Sequence, residues 1–143
     1  MDNKYQLLEI NTDGGSRGNP GPAGIGVYAS SNNQVIFTLS EKIGETTNNV
    51  AEYTAVIRSL EELIKRKIFS EKLKYILDSE LIVRQITGKY KVKQPHLQEL
   101  RQRIVDIVGT LRSNKQVSLM SFVSVPREQN KKADKLVNEA LDK

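Results

Sequence analysis

A chain of 143 residues, 38% hydrophobic and with a formal net charge of +5, is long enough for one packed domain over residues 1–143 and holds no apolar run of the length needed to span a bilayer. With no cysteine and a single histidine, it excludes disulfides, zinc–thiolate sites, thiol nucleophiles and multi-histidine metal centres, so that only hard oxygen ligands remain. The start MDNKYQLLEI carries neither a basic leader nor an apolar signal, which leads us to expect a cytoplasmic protein, and the positive charge favours an anionic partner.

Tyr5 to Asp13 alternates with the two-residue period of a strand, and Ala23–Ser30 and Gln34–Lys42 flank the turn signal Ser31–Asn33, predicting an antiparallel three-stranded meander. From Asn48 to Lys67 the period changes: Tyr53, Val56, Ile57, Leu60, Leu63 and Ile64 recur at helical spacing, with Thr47 or Asn48 as the cap. Lys74–Asp78 reads as a short central strand buried on both faces. Helices are expected over Glu80–Thr87 and Pro95–Arg112, closed by Gly88 and opened by Pro95 respectively. Gln116–Val125 reads as the last strand, and Ala133, Leu136, Val137, Ala140 and Leu141 form the apolar stripe of a final helix. The order is β-β-β-α-β-α-α-β-α, an α/β fold with no internal repeat.

Four carboxylates fall where these elements meet. Asp13 and Asp78 are expected at the carboxyl ends of strands, where open α/β sheets bind ligands. Glu52 and Asp134 border the apolar stripes of their helices, while Glu61, Glu62 and Asp142 point further toward solvent. Each taken singly is an ordinary capping or macrodipole residue. Converging, they would repel one another strongly, and such a cluster is stable only around cations of the Mg²⁺ or Mn²⁺ type.

The segments TDGGSRGNPGPAG with Asp13, TTNNVAEYTAV with Glu52, LDSELIVRQI with Asp78 and VPREQNKKADKLV with Asp134 together resemble type 1 ribonuclease H, in order and over essentially the whole chain. The resemblance implies a five-stranded mixed sheet, three antiparallel strands plus two parallel, flanked by helices. It also implies cleavage of the RNA strand of RNA–DNA hybrids by two divalent ions, Mg²⁺ or Mn²⁺, held by Asp13, Glu52, Asp78 and Asp134, with Asp13 bridging both. Products would carry 5′-phosphate and 3′-hydroxyl ends.

By the same resemblance the loop after Asp13, with Gly14, Gly15 and Ser16, reads the RNA strand, its glycines letting backbone approach the nucleic acid. Asn19, Asn48 and Glu80 join it in the minor groove. Thr47 matches a phosphate-pocket threonine for the DNA strand, and Gln94 stands where the family commonly has asparagine. Lys89, Lys91 and Lys93 surround Tyr90 in a pattern suited to phosphate contact with an aromatic for sugar packing. The long basic handle of some members is missing. Arg127, as in an archaeal-like subgroup, stands where many bacterial members place a mobile histidine, which leaves double-stranded RNA open as a second substrate. His96 is assigned a surface or packing role. A monomer is expected. The competing readings are a catalytically silent nucleic-acid-binding module and a DNA-cutting, integrase-like relative; the first predicts a missing carboxylate, and the second leaves TDGGSRGNPGPAG and TTNN unexplained.

Overall fold

The computed structural model describes residues 3–143. Its elements are β1 (Lys4–Ser16), β2 (Gly21–Ser31), β3 (Gln34–Thr46), α1 (Asn48–Lys65), β4 (Phe69–Leu77), α2 (Glu80–Ile86), α3 (Pro95–Ser113), β5 (Val117–Ser124) and α4 (Lys131–Leu141), with a 3-10 turn at Arg127–Gln129. The order is the expected one. The strands form one sheet, β3-β2-β1-β4-β5, in which β1–β2–β3 are antiparallel and β4 and β5 run parallel to β1. This is the mixed five-stranded fold. Among the described residues no helix is long and apolar enough to cross a membrane.

The alternation along β1 sends Leu8 and Ile10 into the main core, where they meet Tyr53, Val56 and Leu60 of α1 and Tyr75 and Leu77 of β4. Asn11 and Asp13 point to the opposite face, opposite Tyr28 and Gly26 of β2. That face is covered by α4 over β1–β3, while its β4–β5 side is left open.

Three expectations change. The first strand does not end at Asp13: Gly14–Ser16 continue it, paired with Ile25, Gly24 and Ala23. β4 starts at Phe69 and is buried on one face only, with Lys72 and Lys74 on the open face; the run Tyr75-Ile76-Leu77 reads as two-faced only because Ile76 is half-covered. Glu62 is not solvent-directed but buried, its carboxylate paired with Arg66 at 2.7 Å and Arg58 at 3.6 Å, a partnership that makes burial of a charge tolerable. The boundaries of α1, α2, α3 and β5 move by one or two residues, as helix and strand ends commonly do.

Candidate active site

Asp13 lies on the face of β1 that α4 covers, and two glycines let helices close on it. A Cβ at Gly14 would overlap the carbonyl of Ala51, so only glycine lets α1 settle against β1. The result is that Glu52 reaches the strand, its Oε1 accepting the Gly14 N–H at 3.2 Å, while Asp13 Oδ1 accepts the same N–H at 3.0 Å. Across the ladder from Asp13, a Cβ at Gly26 would overlap the Ala133 carbonyl and crowd Leu136. That second close approach brings Asp134, in the first turn of α4, beside Asp13. Asp78 follows the last residue of β4, and Ser79 then caps α2 by accepting the Ile82 N–H at 3.2 Å.

Carboxylate oxygens of Asp13, Glu52 and Asp78 lie within 4.8 Å of one another. Asp134 is outside that trio but lines the same cleft, of about 460 Å³, together with Gly14, Gly15, Ser16, Asn48 and Arg127. Burial, followed by the charges of Asp78 and Asp134, pushes Asp13 up to about 8. Burial and then the charges of Asp13 and Asp78 hold Glu52 well above the ordinary carboxylate range. Asp78 is also raised, chiefly by burial, although the Asn130 amide and the Arg127 charge act against it. Its Oδ2 is buried without a hydrogen-bond partner, an expensive state for a carboxylate oxygen. An orphaned oxygen among crowded carboxylates, each raised above its ordinary range, is the donor set of a hard divalent cation, and the residues present fit one.

The amides expected to read RNA are partly spent. Gly14 N–H serves the two carboxylates, and Asn48 Oδ1 accepts both the Ser16 N–H at 2.9 Å and the Ser16 hydroxyl at 3.1 Å. That leaves the Asn48 Nδ2 as a donor at the cleft. Asn19, preceding a cis peptide to Pro20, accepts the Asn48 N–H at 3.0 Å, and Thr47 caps α1 by accepting the Val50 N–H at 3.3 Å. Thus Asn19, Thr47 and Asn48 are brought together at the start of α1.

The remaining expected contacts do not line the carboxylate cleft. Glu80 is exposed and paired with Arg84 at 3.0 Å. Lys89 and Lys91 line a separate cleft of about 560 Å³ with Arg101 and Gln98, and Lys93 and Gln94 are exposed beside it. Tyr90 is exposed, with the Arg84 guanidinium 5.3 Å from its ring centroid. His96 is exposed in the first turn of α3.

Sequence reading missed Asn130 and Arg17. Asn130 is buried; its amide donates to the Thr12 carbonyl at 2.9 Å and accepts from Asn11 at 2.9 Å, tying β1 to the start of α4. It directly precedes α4, and nothing local to it shows that its side chain bonds to a strand far away in sequence. Arg17, at the cleft rim, pairs with Asp142 at 2.6 Å.

Residues 11–140 match the reverse transcriptase-like family. The chain is 38% identical over 135 residues to a bifunctional protein of Mycobacterium tuberculosis, covering 93% of this chain and 35% of that one, so it spans about a third of the length of that relative. It is 37% identical over 131 residues to ribonuclease HI of Halobacterium salinarum, covering 91% and 62% of the two chains. Among solved structures, LC11-RNase H1 in complex with an RNA/DNA hybrid superposes with a TM-score of 0.84 at 48% identity, covering 94% of this chain and 96% of that one.

Proposed function

This chain belongs to the ribonuclease H family, and on that premise we propose that it is an endonuclease hydrolysing the RNA strand of RNA–DNA hybrids. The observation that carries the reading is the trio of carboxylates whose oxygens lie within 4.8 Å of one another. Packing against Gly14 and Gly26 holds Asp13 between α1 and α4 despite the repulsion among the acids.

We assign Asp13, Glu52, Asp78 and Asp134 as the residues that would hold two divalent ions, Mg²⁺ or Mn²⁺, and the family resemblance points to Asp13 as the ligand they would share. Two such ions, when bound, activate the attacking water and stabilise the departing 3′ oxygen. The water oxygen bonds to phosphorus as the bond to the 3′ oxygen breaks, giving 5′-phosphate and 3′-hydroxyl ends. Asn48, oriented by Ser16 and Asn19, presents its amide to 2′-hydroxyls, which separates RNA from DNA. Arg127, exposed at the cleft, supplies a permanent cation for a backbone phosphate. Lys89, Lys91 and Lys93 hold the hybrid's backbone further from the chemistry.

The test is a matched set of hybrid, RNA–RNA and DNA–DNA duplexes, each with magnesium, manganese or chelator, run alongside sedimentation to check the expected monomer. Metal-dependent cutting of the hybrid with 5′-phosphate products supports the reading. Cutting of the RNA duplex would extend the substrate range. Equal cutting of the DNA duplex would refute it in favour of an integrase-like activity, and cutting in no arm would leave a binding module.

A further inference from the structure

Arg17 stands in the turn between β1 and β2, one residue beyond Ser16 at the rim of the carboxylate cleft. It is not idle there. Its guanidinium pairs with Asp142 at 2.6 Å and lies 3.4 Å from the Leu141 carbonyl and 3.5 Å from the Asn138 side-chain oxygen, all on the last turn of α4 and just past it.

Two features argue against a purely structural clamp. The pair is solvent-exposed on both sides, with 48% of the Arg17 side chain and 66% of the Asp142 side chain accessible, and exposed ion pairs contribute little to folding. The turn is also fastened without it: Arg17 N–H donates to the Pro22 carbonyl at 2.8 Å, and Ser16 is bonded to Asn48. A phosphate diester offers a guanidinium a planar, bidentate, charge-assisted partner, and one leaving a weak carboxylate partner loses little.

Resting on the hybrid-cleaving reading, we propose that Arg17 and Asp142 form a phosphate subsite with a built-in competitor: Arg17 binds a backbone phosphate of the hybrid, and Asp142 occupies it when no substrate is present. The consequence is a sign that a clamp does not share. If the pair only positioned the turn, breaking it from either side would weaken binding. If Asp142 competes, Asp142→Asn frees Arg17 and tightens binding, while Arg17→Gln weakens it.

The experiment measures the affinity for a labelled RNA–DNA hybrid and a DNA–DNA duplex of equal length, in the non-cutting Asp13→Asn background. The proteins are that background alone and with Arg17→Gln, Asp142→Asn or both, each across a salt series. We expect Arg17→Gln to weaken hybrid binding about tenfold and to flatten log K against log salt by roughly 0.9, one duplex phosphate contact. Asp142→Asn should tighten binding about threefold to tenfold, and less than twofold once Arg17 is replaced. Weaker binding by Asp142→Asn, an unchanged salt slope in Arg17→Gln, or equal effects of Asp142→Asn with and without Arg17 would each overturn the subsite. Loss of preference for hybrid over DNA duplex in the Asp13→Asn background alone would instead overturn the substrate reading, since Arg17 and Asp142 are intact there.

Discussion

Replacing Asp13 by Asn tests the charge economy of the cluster and its chemistry at once. Asn has the same shape and its Oδ1 can still accept the Gly14 N–H, but it carries no charge. Asp13 titrates at about 8 in the metal-free fold against an ordinary 3.8, so between those values the native state holds a proton that the unfolded chain has released. Stability therefore falls as pH rises through that window. Keeping that proton at pH 7 costs about 1.36 kcal/mol for each of the roughly three units above the unfolded value, ~4 kcal/mol in all. Glu52 is also raised, by burial and then by the charges of Asp13 and Asp78, and the cost is divided within so close a cluster, so we expect Asn to stabilise the metal-free protein by about half of this, ~2 kcal/mol, or roughly 6–8 °C in Tm. The gain should shrink below ~1 kcal/mol by pH 4, where about two-fifths of the unfolded carboxylate is itself protonated. Thermal melts of parent and variant at pH 4, 5.5, 7 and 8.5 with chelator read this directly. Added magnesium should stabilise the parent more than the variant. Cleavage should fall at least a thousandfold, which corresponds to ~4 kcal/mol of lost transition-state stabilisation. A variant that is less stable at pH 7, or a stability difference that is flat in pH, would refute the electrostatic reasoning; parental cleavage would refute the catalytic assignment.

Gly26→Ala should cost about 1–3 kcal/mol and sharply reduce cleavage, because the new methyl forces α4, and Asp134 with it, off β2; denaturant unfolding and turnover check it. Gly109→Ala, at an open helical position of α3 with nothing within 4 Å of the added Cβ, should instead stabilise by about 0.5–1 kcal/mol and leave cleavage unchanged. Asn130→Ala should lose about 1–3 kcal/mol by stranding the buried Thr12 carbonyl. Asn130→Asp would add a carboxylate beside Asp78, so its chelator melts should deteriorate further as pH rises. Converting Lys89, Lys91 and Lys93 together to Ala should lower the slope of log K against log salt for the hybrid by roughly 0.9 for each phosphate the loop no longer neutralises, and an unchanged slope would remove that loop from the interface.

The element order was legible because hydrophobic period and turn residues carry it locally. Tyr53 to Ile64 repeats at helical spacing and Leu8 and Ile10 at strand spacing, whatever the rest of the chain does. The carboxylates were legible as four residues at seams, but their mutual distances were not. Those depend on how closely α1 and α4 approach β1, which is a property of pairs such as Gly14 with Ala51 and Gly26 with Ala133. Asn130 was illegible for the same reason: its partners, Asn11 and Thr12, are more than a hundred residues away.

The glycines after Asp13 show a packing role that local reasoning does not reach. Gly14-Gly15 following a strand reads as backbone freedom for a loop that meets nucleic acid, yet both residues remain in β1. Gly14 is required by a helix whatever it offers a ligand, since its missing side chain is the space that α1 fills, and both glycines still line the cleft. Gly26, seemingly incidental in the middle of β2, does the same for α4 from the other side of the sheet. Asp13 is thus flanked by two absent side chains, one beside it in sequence and one opposite it across the ladder. Each admits the helix that carries another carboxylate. A larger residue at either position would keep the acids apart only by forcing a helix off the sheet, so the packing at these two glycines holds the acids together against their repulsion. The protein therefore holds Asp13, Glu52 and Asp78 crowded and raised above the ordinary carboxylate range, and a cation bound among them should raise the stability of the fold as well as complete the site.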